Sequence, residues 1–305
     1  MNSVTFECEI ITPMFLAGAD GKTPELRPPS IKGIMRFWWR AIKGENNPET
    51  LRIEDILLFG GSDEKIGRSK CSLRILNKTF NKGFINQKPL PHHTGDSKCT
   101  FLPSCKSKNN NNKCNKGFEI PSIANHSQFK IELKSLNMVQ QNYFSNILQL
   151  SLILGGLGKR SRRGFGSVHC KSWNFTNNNE LVQFILSKLN AIQNDFDVKD
   201  MEIYRNSSSG ANYPFIKEIA LGKPEKDPFD LLKKIGQASH LFNDPSLGYA
   251  GKFNNNTIRM ASPIYVTIAK IGNEFIPIIT TLNSAFPPSY PFYDLQKQQQ
   301  FRGSL

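Results

Sequence analysis

The sequence predicts an α+β fold in two units. Three observations carry that reading. Over residues 1–176, β-forming and helix-forming segments follow one another as strand, helix, strand, strand, helix, strand. An Asn-rich stretch, NFTNNNE at 174–180, marks a joint. Beyond it, over 177–305, helices and a strand pair form a second, smaller set.

Residues 4–11, VTFECEII, are rich in β-formers and partly alternating, which predicts the first strand. A loop dense in Pro and Gly follows, ending at Pro28 and Pro29, and Ser30 is the expected N-cap of a helix over 31–43. In that helix Ile31, Ile34, Met35, Trp38 and Ile42 recur at helical spacing and form an apolar stripe. Lys32, Arg36, Arg40 and Lys43 form a basic stripe, with Trp39 at the border between the two. Strands are expected at 71–77 and 129–136, separated by an insertion at about 78–128 that contains the polar low-complexity run KSKNNNNKCNKG. An apolar helix over 139–154 includes Tyr143, Ile147, Leu150 and Leu154 and stops at Gly155 and Gly156. SVHCKSWNF at 167–175 reads as the closing strand. This order matches a ferredoxin-like βαββαβ unit with an insertion. In the second part, helices are expected at 181–193 and 228–242, the latter opened by Asp227 and Pro228, followed by a hairpin-like strand pair around 262–282. The tail from Tyr293 carries no fold signal.

The chain has 305 residues, with 39 Lys and Arg against 25 Asp and Glu, a net charge of +14. That excess calls for an acidic partner, which composition leaves open as nucleic acid, an anionic membrane or an acidic protein. The sequence shows neither a basic and apolar N-terminal signal nor a run approaching the roughly 20 apolar residues that span a bilayer. Six cysteines (Cys8, Cys71, Cys99, Cys105, Cys114 and Cys170) lie scattered, which fits reduced thiols in a cytoplasm better than a disulfide framework.

The densest chemical signal is LGGLGKRSRRGFGSV at 154–168. Five glycines surround Lys159, Arg160, Arg162 and Arg163; Gly158 and Gly164 flank the cations directly. Glycine allows positive φ and close backbone approach, free N–H groups can cradle phosphate, and Arg binds phosphate bidentately. Phe165 could stack on a base. The segment lacks GxxxxGK[ST], and it follows a helix and precedes a strand, so neither nucleotide-binding loop motif fits. The bland alternative is a loop with solvated charges. PELRPPSIKGIMRFWWRAIKG at 24–44 is the second signal, its basic face suited to a phosphate backbone and its alternative a core helix with snorkelling cations.

TPMFLAGADGKTPELRPPSIKGIMRFWWRAI (12–42), together with the glycine-basic loop and RMASPIYVTI (259–268), resembles the RAMP proteins of type III-B (Cmr) CRISPR effector complexes, specifically the first Cmr RAMP family. ELRPPSIKGIMRFWWRA is the specific part of that resemblance, which touches both halves and leaves 78–128 unplaced. The resemblance implies two ferredoxin-like (RRM-like) domains, the glycine-rich loop ending the first. It implies a non-catalytic subunit near the 3′ end of the guide RNA, binding guide and single-stranded target RNA beside other RAMP subunits, with no cofactor and no membrane. Carried onto this chain, the RNA-contacting candidates are Arg27, Lys32, Arg36, Trp39, Arg40, Gly158, Lys159, Arg160, Arg162, Arg163, Gly164 and Phe165.

Two other functions compete with this reading. An endoribonuclease would use His92 or His93, in the Pro-rich QKPLPHHTGD, or Asp20 of GADGK; Glu25 and Glu45 are the other carboxylates near the first helix. A protein–protein adaptor would set the basic loop against an acidic partner. His92, His93, Cys99, Cys105 and Cys114 could supply a tetrahedral zinc site, but the cysteines form no CxxC knuckle and no metal site is assigned. His126, His169 and His240 stand alone and read as structural.

Overall fold

A computed structural model describes residues 2–21, 23–61, 67–80, 82–84, 121–254, 256–286, 290 and 293–305. Most of the 78–128 insertion, with His92, His93, Cys99, Cys105 and Cys114, lies outside the described residues.

The first half runs β1 (Asn2–Ile10), α1 (Pro28–Lys43), α2 (Pro48–Phe59), β2 (Cys71–Thr79), β3 (Lys82–Phe84), β4 (Pro121–Ile123), β5 (Gln128–Ser135), α3 (Met138–Gly155) and β6 (Val168–Cys170). Four of these strands form an antiparallel sheet in the order β2-β5-β1-β6, which with α1 and α3 is the ferredoxin-like βαββαβ topology. The period-2 pattern predicts the buried face: Phe6, Cys8 and Ile10 of β1 and Phe129, Ile131 and Leu133 of β5 point into the helices. Helix α1 begins at Pro28, two residues before the expected Ser30 cap. Prolines occupy its first turn, where a missing N–H costs nothing, and Arg27 is the N-cap. It ends at Gly44 in the left-handed region (φ 59°), whose N–H bonds to Arg40 O.

Helix α2 adds to the elements expected from sequence. Asn47 caps it by accepting from the N–H groups of Glu49 and Thr50, Pro48 follows, and Gly60 ends it. The closing strand is only three residues long. Beyond Cys170 the chain turns inward, and Trp173 and Phe175 join the core.

The second half comprises α4 (Asn178–Asn190), β7 (Phe196–Lys199), β8 (Glu202–Arg205), β9 (Ile216–Leu221), α5 (Pro228–Leu241), β10 (Tyr249–Phe253), β11 (Asn256–Met260), β12 (Ile264–Ile271), β13 (Glu274–Leu282) and α6 (Leu295–Gly303). The Asn-rich joint supplies a helix cap, since the Asn177 side chain accepts from Glu180 N–H. The tail, which carries no fold signal in sequence, forms α6, capped by Asp294. The second sheet has the order β12-β13-β9-β8-β7. In it β9, α5, β12 and β13 form the split βαβ of a ferredoxin-like unit. The strand on the other flank of β9 is β8, which precedes that unit instead of following it.

This sheet is buried on both faces. Tyr265, Ala269, Ile276 and Ile278 join α1, α3 and α4 in a core continuous with that of the first sheet. Ile264, Val266, Ile268 and Ile279 pack against Leu231, Leu232 and Ile235 of α5 and Phe301 of α6. The halves are pinned along β12: Thr267 Oγ1 donates to Ile153 O (2.6 Å), and Ile268 N donates to Ser167 Oγ (3.0 Å).

Candidate nucleic-acid interface

The glycine-basic loop turns from α3 into β6 against that pinned edge. Geometry requires several of its glycines, including both that were expected to contact RNA. Gly158 has φ 92°, and a Cβ there would lie 2.5 Å from Phe15 O; this approach lets Lys159 N–H bond to the same carbonyl (2.9 Å). Gly164 has φ 81°, donates to Val266 O (2.7 Å), and sits against Ile235 and Leu232. These glycines serve close packing against protein, whereas the sequence reading gave them to a ligand.

Between them the cations divide. Lys159 is exposed. Arg160, itself left-handed at φ 61°, is half-buried, and burial lowers its pKa. Arg162 lies over the Tyr265 ring, 4.5 Å from its centroid. Arg163 turns the other way. Its guanidinium donates to Ile264 O (3.0 Å), Leu247 O (3.2 Å), Ser262 Oγ (3.1 Å) and Arg162 O (2.8 Å), and lies over Phe301. Burial, then the charge of Arg162, pushes its pKa down to about 10, so it stays charged at neutral pH. Arg163 is therefore a clamp between the loop and the second sheet, which corrects its assignment to RNA. Phe165 is corrected too: it is 1% exposed and packs on Phe15 in the outer core, so no base can reach its ring.

Trp39 is the third correction. Placed at the border of the basic stripe by helical spacing, it is 0% exposed. Its Nε1–H donates to Tyr143 OH (2.9 Å), and Phe59 of α2 packs edge-on against it. The reason is α2, which covers this side of α1. The same helix brings Asp55, its side chain 5% exposed, under the basic stripe. Arg36 donates to both carboxylate oxygens (3.2 and 2.6 Å from Nε and Nη2), and Arg40 Nη1 donates to one (3.2 Å). Lys43 pairs with Glu54 (3.2 Å), and Arg27 stands 3.9 Å from Glu25. Lys32 has no carboxylate partner among the described residues, and burial, with some repulsion from Arg36, lowers its pKa.

Helix α1 thus stands as a ridge between two openings. On one side a slot of about 190 Å³ runs between Ser30, Gly33 and Phe37 and the backbone of Gly155, Gly156 and Ser161, with Trp38 and Tyr265 at its base. No atom lies within 4 Å of where a Gly33 Cβ would be, so bare helix backbone faces that slot. On the other side a cleft of about 710 Å³ is lined by Lys32 and Arg36 with Arg52 and Arg68. Sequence reasoning missed Arg52 and Arg68. The cap and stop signals of α2 could have found the first, while the second lies in irregular chain before β2. Cations on both flanks of an exposed ridge suit a phosphate backbone.

The open face of the first sheet is different in kind. There β1, β5 and β6 present Thr5, Glu7, Glu9, Lys130, Glu132, Lys134 and His169, and Glu7 pairs with Lys130 and Lys171. These positions hold no Phe, Tyr or Trp, so this face is no stacking platform of the RRM kind. Asp20 closes a turn, accepting from the Thr23 N–H (2.9 Å) and hydroxyl.

The RAMP superfamily model matches residues 7–169. The CRISPR system Cmr subunit Cmr1-2 of Pyrococcus furiosus is 31% identical over 182 residues, covering 55% of this chain and 95% of that protein. The crystal structure of apo Cmr1 from P. furiosus superposes with a TM-score of 0.63 at 20% identity, over 100% of this chain and 97% of the other. A chain of the type III-B Cmr-beta complex, solved by cryo-EM with cognate target RNA and AMPPnP in the presence of ssDNA, superposes with a TM-score of 0.59 at 12% identity, over 98% of each.

Proposed function

The chain belongs to the RAMP superfamily, as a Cmr1-type member, and from that premise we propose that it is a non-catalytic RNA-binding subunit of a type III-B CRISPR ribonucleoprotein. In this reading it works in the cytoplasm in antiviral defence, beside other RAMP subunits, and engages guide and target RNA near the guide 3′ end. The observation that carries the RNA contact is the α1 ridge, with Arg162 over Tyr265 at the slot, Lys159 and Arg160 in the same loop, and Lys32, Arg36, Arg52 and Arg68 lining the cleft. Residues of this type grip phosphate, so binding is sequence-tolerant and salt-sensitive, and sequence is left to base pairing with the guide. That a similar fold sits in a complex bound to target RNA supports the assignment. Of the residues a nuclease would use, Asp20 accepts from Thr23 in a turn, and His92 and His93 lie outside the described residues. Among the described residues no helix is long and apolar enough to cross a membrane.

The test is the salt dependence of single-stranded RNA binding by the full chain and by K159A/R160A/R162A, which leaves the Arg163 clamp in place. Each phosphate neutralised contributes a slope of about −0.7 in log K against log salt, so loss of three contacts shrinks the slope by about 2. An unchanged slope removes the loop from the RNA path and favours the adaptor reading. RNA cut in the same tubes, with cutting lost in a single variant, favours the nuclease reading.

A further inference from the structure

A pocket of about 400 Å³ lies away from the α1 ridge, where the open face of the first sheet meets the N-terminal end of α5. Its position follows from the topology. Strands β6 and β12 lie side by side, so the outward residues of the first sheet continue onto the α5 face of the second. Parity places Lys270 and Phe275, direct partners in β12 and β13, on that α5 face.

One wall is polar. His169 of β6 stands directly opposite Glu9 of β1, and Glu9 Oε1 is 2.9 Å from His126 Nδ1. With Glu9 accepting from Nδ1–H, the His126 Nε2 is unprotonated and can accept a hydrogen bond. The facing wall is the start of α5, where Asp227 Oδ1 accepts from Phe229 N–H (2.9 Å) and the side chain of Phe229 lines the cavity. Ile11 and Phe275 add apolar surface, and Lys226 and Lys270 stand exposed at the pocket.

The charges here are already partly assigned. Both carboxylates are hydrogen-bonded, Glu9 to His126 and Asp227 to the α5 backbone, and both keep their negative charge. Neither Lys226 nor Lys270 has a carboxylate partner among the described residues. Lys226 and Lys270 are thus the groups here that can grip an anion, beside an α5 N-terminus whose own charge is already met by Asp227 and Asp230. Two phenylalanines beside them favour a flat apolar body. Burial, then the charge of Lys270, lowers the His169 pKa, so that imidazole stays neutral at physiological pH and can both donate and accept. A seam pocket of this volume, mostly apolar with a few convergent polar groups, is the ordinary form of a small-ligand site.

We propose that this pocket binds a nucleotide, its base against Phe229 and Phe275, its phosphate on Lys226 and Lys270, and its polar edges read by His126 and His169. The site is independent of the RNA-binding ridge and does not rest on it.

The test uses the full chain and a fluorescent methylanthraniloyl-AMP, with AMP, adenosine and inorganic phosphate as competitors. The expected result is saturable binding that AMP displaces, with adenosine and phosphate each far weaker. K226Q/K270Q should bind about tenfold or more weakly, since two charge-assisted contacts are lost. Both lysines are exposed, so an unchanged urea unfolding curve confirms that this variant folds. No saturable binding at millimolar probe, or equal affinity in the double variant, overturns the proposal. A short RNA with a 5′ phosphate, compared with the same RNA lacking it, separates two sources: competition by the phosphorylated RNA identifies a chain end, and competition by AMP alone identifies a free nucleotide, each in support. K159A/R160A/R162A should bind the probe normally, so loss of RNA binding and loss of this site are distinguishable.

Discussion

Replacing Arg163 separates a structural cation from an RNA-binding one. Its guanidinium reaches three groups of the second half: Ile264 O, Leu247 O and Ser262 Oγ. A hydrogen bond from a charged donor contributes about 1.5–3 kcal/mol, and an orphaned buried carbonyl costs about 1–3 kcal/mol. Ile264 O keeps the Ser262 hydroxyl as a donor, which limits the damage there. The cation over Phe301 adds about 0.5–1 kcal/mol. For R163M, which preserves bulk, the sum is about 3–5 kcal/mol of destabilisation. That is a large share of the roughly 5–15 kcal/mol that holds a domain together. R163K keeps the charge and loses the fork, so it falls between R163M and the parent. R162A is expected to cost about 1 kcal/mol or less, because Arg162 gives up a cation–π contact while its Nε already lacks an acceptor. Urea unfolding followed by tryptophan fluorescence reads all three, since Trp38, Trp39 and Trp173 are buried. RNA binding is measured in parallel below the unfolding transition. If R163M unfolds within about 1 kcal/mol of the parent and flattens the salt slope by about 0.7, Arg163 is a phosphate ligand and the clamp argument is wrong.

Other perturbations follow from the same geometry. G164A places a Cβ 2.9 Å from Ile235 Cδ1 in a left-handed backbone and should destabilise by about 2–4 kcal/mol in the same unfolding assay; a change below about 0.5 kcal/mol would show that α5 yields at no cost. D55N removes the charge shared by Arg36 and Arg40 and should cost about 1–3 kcal/mol while steepening the RNA salt slope, whereas an unaltered slope would place both arginines off the RNA path. His169 has a folded pKa below its ordinary value, from burial first and Lys270 second, so folding favours its neutral form. Its stabilising contribution is therefore full above about pH 6.5 and is lost as pH falls through that value, levelling off below the folded pKa. Denaturation midpoints between about pH 7.5 and 5 should fall less in H169Q than in the parent, and parallel profiles would assign the loss to other groups.

Some of this protein was determined by sequence alone. The alternation in β1 and β5 and the stripe in α1 fixed which residues face the first core, because side-chain direction in a regular element is set by period and not by context. Gly155 and Gly156 marked the end of α3, and charge density singled out the loop at 154–168. Caps at Asn47 and Asp294 were equally local and legible, though α2 and α6 went unread. The fate of individual cations was decided only by tertiary structure. Within the loop, neighbouring arginines have the same chemistry, and sequence cannot tell which one turns inward. Arg163 meets two carbonyls 84 and 101 residues away in the chain, and Arg162 meets a tyrosine ring. Trp39 lay on a border in the isolated helix and became core because α2 folds across it. The seam pocket likewise has no local signature: Glu9, His126, His169 and Lys270 come from separate strands and turns, and only the edge-to-edge docking of two sheets brings them to one cavity. Burial and pairing are properties of three-dimensional neighbours, and these neighbours are set by long-range packing that no short window of sequence contains.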